Sequence, residues 1–143
     1  MKVRANLRHL LFLSVIAGPI VWAVPFMFGG QLPQTLSVIS FIKIHVWALF
    51  VYPVLEEIVF RGWIQGALKR KWRFVWHPPI YSTANLVTSV LFATLHIFTR
   101  SLTVGLLVFV PSLLLGIMRD GKMPLVALIF IHIYWNLGVI IFW

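Results

Sequence analysis

With 143 residues, 61% of them hydrophobic and only 10% charged, the chain has too little polar surface to cover a soluble domain, and it reads as an integral membrane protein. Its formal net charge of +9 comes from short basic segments between apolar runs, the positive-inside pattern, which disfavours a nucleic-acid partner. The absence of cysteine excludes disulfides, thiolate nucleophiles and cysteine metal sites.

Apolar runs separated by charged or turn residues predict helices at 10–29, 36–68, 80–98, 102–118 and 123–143. The expected fold is therefore an all-α, polytopic membrane bundle of about five transmembrane helices, forming a single transmembrane domain over 1–143. Lys2, Arg4 and Arg8 precede the first run, as in a signal peptide, but the run from Leu10 to Phe28 is long enough to span. An uncleaved first helix is expected, ending at Gly29-Gly30 before the turn Gln31-Leu32-Pro33-Gln34. The second run is too long for one straight span, since about 33 residues at about 1.5 Å each exceed a core near 30 Å. Pro53 is expected to kink or break it, and the sequence leaves open whether residues 36–52 form a separate piece.

Lys69-Arg70-Lys71-Trp72-Arg73 closes this element, Trp76-His77-Pro78-Pro79 forms the next loop, and Arg119-Asp120-Gly121-Lys122 is the turn before the last helix. A cytoplasmic N-terminus in the cell membrane places nine of the twelve basic residues inside (2, 4, 8, 69, 70, 71, 73, 119 and 122). Only Arg100 then lies outside, with Lys43 and Arg61 inside helix two.

Two of the three acidic residues, Glu56 and Glu57, stand side by side in apolar helix two. Ionisable groups at membrane depth are costly, so this pair is the first functional candidate. Glu57 precedes Arg61 by four residues, the favourable order for an intrahelical ion pair, and this pair alone reads as structural. Glu56 points about 100° away, with Val59 and Phe60 as its neighbours. It has no local cation, and a carboxylate in such apolar surroundings suits a general base.

Further polar groups lie in Phe92-Ala93-Thr94-Leu95-His96 and in His132-Ile133-Tyr134-Trp135-Asn136. Glu56 is 13 residues from Lys69, His96 is 13 from a helix start expected at Thr83, and His132 and Asn136 are 9 and 13 beyond Met123. At about 1.5 Å per residue, all lie roughly 14 to 20 Å above one common face and can meet in one buried layer. Either histidine alone would read as a hydrogen-bonded structural residue. Four polar side chains from separate helices at one depth need partners in lipid, and are most cheaply satisfied by one another around water. Phe92 reads as packing, while Thr88, Ser89 and Thr94 are expected to bond backbone carbonyls. His45 and Lys43 read as marking the outer interface, and His9 and His77 receive no function.

Taken together, Glu56-Glu57-x-x-x-Arg61, Phe92-x-x-x-His96 and His132-x-x-x-Asn136 resemble, in order and spacing, the three motifs of the CPBP family of intramembrane glutamic endopeptidases. That family includes CAAX-processing and bacteriocin-processing proteases, and the likeness covers roughly residues 50–140. The resemblance implies an all-helical membrane core and peptide-bond hydrolysis by water, without a covalent intermediate or a metal or other cofactor. It implies Glu56 as general base, His96 as a ligand of the water, His132 and Asn136 as oxyanion donors, and Glu57 and Arg61 as braces. Many members carry more helices before the first motif than the one and a half expected here, so prenylated-protein processing is not the favoured substrate. A membrane-bound or exported protein, cut at a leader or sorting segment, is expected instead.

Two other functions compete. A zinc-dependent membrane hydrolase could use His96, His132 and a glutamate, although no H-E-x-x-H is present. A non-enzymatic transporter, immunity or scaffolding protein could use the carboxylate and histidines as a relay. A rhomboid-type serine protease is disfavoured because no Gly-x-Ser motif lies in a helix.

Overall fold

A computed structural model describes residues 9, 11–12, 14–19, 45–71 and 82–142, and all regular structure among them is helical. The first turn, Lys43, the Trp76-His77-Pro78-Pro79 loop and the N-terminal basic residues Lys2, Arg4 and Arg8 lie outside the described residues. The first long element, α1, covers residues 47–71 as four consecutive pieces: a π-helical turn Trp47–Val51, an α-helix Tyr52–Glu56, a second π-helical stretch Glu57–Ile64 and an α-helix Gln65–Lys71. The expected break at Pro53 is absent. Pro53 falls in the first turn of Tyr52–Glu56, and the preceding wide turn, closed by the Tyr52 N–H on the Trp47 carbonyl, accommodates it. A ring that would clash inside an α-helix is thus carried by a locally wider one.

Helix α2 spans Thr83–Thr99 and α3 spans Leu102–Asp120, each started by a serine whose hydroxyl accepts a backbone N–H: Ser82 from Asn85 at 3.0 Å, Ser101 from Val104 at 3.2 Å. Caps of this kind replace one of the hydrogen bonds that a helix start lacks. Only Arg100 and Ser101 separate α2 from α3, so the two pack as a close antiparallel hairpin. Gly116 is required there, because a Cβ would overlap the buried Asn85 amide. That amide donates to the Leu113 carbonyl at 3.1 Å and accepts from Ser89 at 3.1 Å. Small residues let helices approach until side-chain amides reach across, the usual association mode in lipid.

Helix α3 runs two residues further than expected and includes Asp120; the turn is Gly121–Pro124, with Lys122 rather than glycine in the left-handed region at φ 69°. Asp120 ties three elements at this end. It accepts from Lys69 at 2.6 Å, Gln65 at 3.0 Å and the Ser82 backbone N–H at 3.2 Å. Helix α4, Leu125–Phe142, then returns to the opposite end. Its buried residues Leu128, Ile131 and Trp135 join Leu115, Met118 and Met123 in the apolar core. The N-terminal helical residues dock on this helix, with the Trp135 indole N–H on the Ser14 carbonyl at 3.0 Å.

The distribution of side chains is inverted relative to a soluble domain. Glu57, Arg61, Gln65, Asn85, Thr88, Ser89 and Ser112 are buried, while Trp63, Phe98, Leu106, Val126 and Phe130 are more than 60% exposed. Apolar side chains outside and polar groups gathered inside suit a hydrocarbon solvent. By length and composition α3 can cross a membrane, and Thr83–Thr99 and Leu125–Ile140 are shorter apolar helices.

Candidate active site

The second π-helical stretch of α1 begins at Glu57, so Glu56 and Glu57 occupy a junction of helix types, a place where wide turns recur at functional sites. Glu57 is fully buried and Glu56 borders a cavity. The two were expected to diverge around the helix, with Glu57 paired to Arg61. Instead they converge on one imidazole: His132 Nδ1 lies 3.0 Å from Glu57 Oε1, and His132 Nε2 lies 3.6 Å from Glu56 Oε2. Opposed ring nitrogens let one α4 side chain span carboxylates that their own helix turns apart.

His96 approaches Glu56 from α2, with Nε2 at 3.9 Å from Glu56 Oε1. Its Nδ1 is 2.9 Å from the Phe92 carbonyl, an oxygen that only accepts, so Nδ1 carries the hydrogen and Nε2 presents a lone pair when the ring is neutral. The same logic applies to His132, whose Nδ1–H donates to Glu57. Both carboxylate oxygens of Glu56 therefore face ring nitrogens that are acceptors in the neutral form. A proton or a bridging water must lie between, and gaps of 3.6 and 3.9 Å are too long for direct hydrogen bonds.

Beneath these groups Arg61 is almost completely buried. Its Nη1 is 3.6 Å from Glu57 Oε1, an ion pair without a hydrogen bond, while Nη2 donates to both the carbonyl and the hydroxyl of Ser112 at 2.8 Å. The guanidinium also lies 5.0 Å from the Phe92 ring centroid. Phe92 packs as expected, and it also forms the wall between the Arg61 cation and His96, whose ring is 4.5 Å away.

Asn136 completes the cavity from α4, one turn beyond His132. It does not bond the other candidates; one amide N–H goes to the Ala48 carbonyl at 3.0 Å, because the wide turn beginning at Trp47 sets backbone acceptors beside it. The second N–H of an amide remains for other use. The cavity has a volume of about 160 Å³, room for water beside these side chains.

Thr88 bonds its expected carbonyl, Ala84, at 2.7 Å, whereas Ser89 serves Asn85 and Thr94 faces outward. His9 and His45 do not line the cavity. Ser112 and Arg100 were missed as site residues. A serine beside proline inside an apolar helix was the available signal for Ser112, and the spacing of Arg100 one turn after His96 was the signal for Arg100. Among the described residues, no group of three His, Cys, Asp or Glu side chains is arranged to hold a metal ion.

A protein-family model described as type II CAAX prenyl endopeptidase, Rce1-like, matches residues 38–138. No curated protein and no solved structure matches the chain.

Proposed function

The chain belongs to the Rce1-like family of type II CAAX prenyl endopeptidases, a family of membrane proteases, and from that premise we propose a glutamate-activated, water-dependent cleavage of a membrane-held protein. The observation that carries the mechanism is Glu56, with its two oxygens facing His96 and His132 at the cavity floor. A water between Glu56 and His96 donates one proton to the carboxylate and the other to Nε2, which turns its lone pairs toward the cavity. Attack on the peptide carbonyl forms the C–O bond as Glu56 takes a water proton. The oxyanion accepts the remaining amide N–H of Asn136 and, when His132 is doubly protonated, its Nε2–H. Breaking the C–N bond returns the proton from Glu56 to the departing amine.

Glu57 orients His132 through Nδ1, and Ser112 holds Arg61 against Glu57. These are positioning roles. The multi-pass topology proposed with this mechanism keeps the Lys69, Arg119 and Lys122 end cytoplasmic and sets the cavity in the outer half of the membrane. Membrane-held leader and sorting segments fit such a site, and the description of the matched family adds prenylated C-terminal segments to the substrates worth presenting.

Comparing peptide termini in membrane and secreted fractions of cells with wild type and with Glu56→Gln tests this directly. A terminus produced only with Glu56 identifies reaction and substrate together. Identical terminus profiles, with Glu56→Gln supporting full biological function, would transfer the site to a relay role.

A further inference from the structure

The cavity has a second polar feature that the hydrolytic mechanism does not use. Arg100 lies in the α2–α3 turn and lines the cavity with His96, one helical turn before it, and Val108 of α3. Among the described lysines and arginines, Lys69, Arg70, Lys71, Arg119 and Lys122 belong to the end where α1 and α3 finish, and Arg61 is buried between helices. Arg100 alone stands at the opposite end. It forms no ion pair among the described residues, because Glu56 and Glu57 are engaged by histidines and Arg61, and Asp120 is held by Lys69 at the far end. A guanidinium is a fork shaped for carboxylates, and at an apolar mouth it has few competitors for an incoming anion.

We propose that Arg100 is a specificity-determining residue that receives a carboxylate of the substrate, a proposal that rests on the endopeptidase function argued above. Four residues separate it from His96, about 6 Å along the helix axis. An extended peptide advances about 3.3 Å per residue, so the recognised carboxylate lies about two residues from the bond being cut. That carboxylate is either the substrate's chain terminus or an acidic side chain. Both present the same two oxygens to the fork. Depth also separates Arg100 from the catalytic groups: it is exposed, whereas Glu56, His96 and His132 are not, so an anion on Arg100 leaves the scissile carbonyl free to reach the floor.

The test uses the full-length protein in liposomes with prenylcysteine reporter peptides carrying one to four residues beyond the cut bond. Each ends in a free carboxylate or an amide, and a third set has the amide terminus with an aspartate at the corresponding place. Wild type should prefer carboxylate over amide by about tenfold in kcat/KM at a spacing of about two residues, mainly through KM. Arg100→Gln should erase that preference, Arg100→Lys should keep part of it, and Arg100→Glu should invert it toward a lysine at the same place. Equal rescue by aspartate assigns recognition to any carboxylate, and rescue by the terminus alone assigns it to the chain end; both support the proposal. Glu56-dependent cleavage with no carboxylate preference, or a preference that survives in Arg100→Gln, overturns the subsite while leaving the protease function intact. Wild-type protein that cuts no reporter and shows no Glu56-dependent terminus in cells overturns both.

Discussion

Replacing Arg61 tests whether the buried half of the site is a brace. Arg61→Met keeps the apolar stem and removes a cation that is 1% exposed, makes two 2.8 Å hydrogen bonds to Ser112 and lies 3.6 Å from the fully buried Glu57. Its loss leaves Glu57 with His132 as its one remaining partner among the described residues, and leaves the Ser112 hydroxyl without its acceptor role. Breaking a buried pair from one side costs about 3 to 5 kcal/mol, a large share of a total stability near 5 to 15 kcal/mol. At about 1.4 kcal/mol per decade, the unfolded fraction should rise by roughly two to three and a half orders of magnitude. The readouts are abundance in membranes and the melting curve of detergent-solubilised protein. Glu57→Gln should fall similarly, because Arg61 is then the orphan. The double variant Glu57→Gln/Arg61→Met should recover much of the lost stability, since neither charge remains. Arg61→Met with wild-type melting and abundance would refute the brace, and so would a double variant whose losses simply add.

Other outcomes follow from the same geometry. Glu56→Gln and His96→Ala should abolish cleavage while membrane abundance and melting stay near wild type, because both side chains face the cavity rather than the core. Asn136→Ala should lower kcat by about a hundred- to a thousandfold, the usual effect of losing one oxyanion donor, and a change confined to KM would contradict that role. Gly116→Ala should destabilise by about 1 to 3 kcal/mol through overlap with the Asn85 amide; Asn85→Ala in the same chain should relieve the overlap, and melting of the two variants checks this. The chain has no native cysteine, so Ser101→Cys should react with an impermeant maleimide on intact cells and Lys122→Cys only after permeabilisation. The reverse pattern would invert the topology. A chelator should leave cleavage unchanged, whereas loss restored by zinc would favour the metal hydrolase.

Much of the site was legible because helical spacing is local. Residues four apart share a face whatever the helix packs against, so Glu57 with Arg61, Phe92 with His96 and His132 with Asn136 could be paired before any coordinates. Depth along apolar segments then set Glu56, His96, His132 and Asn136 in one layer, and the structure brings all four to one cavity. Composition likewise settled that the elements would be helices with apolar exteriors, because little else satisfies its own backbone in lipid.

Tertiary structure decided what depends on how helices rotate and approach one another. No spacing rule foretells that His132 bridges both glutamates, that Arg61 is held by Ser112 of α3, or that Asn136 gives an N–H to Ala48. Those contacts join residues 51 to 88 positions apart, and they required wide turns in α1 that carry Pro53 without a break. The helix ends show the same division. Ser82 and Ser101 announce starts through their own side chains, whereas Asp120 extends α3 because Lys69, Gln65 and Ser82 from other elements converge on it. Periodicity along one helix is encoded in adjacent residues; the angle at which two helices meet emerges only when all of their side chains compete for the same space.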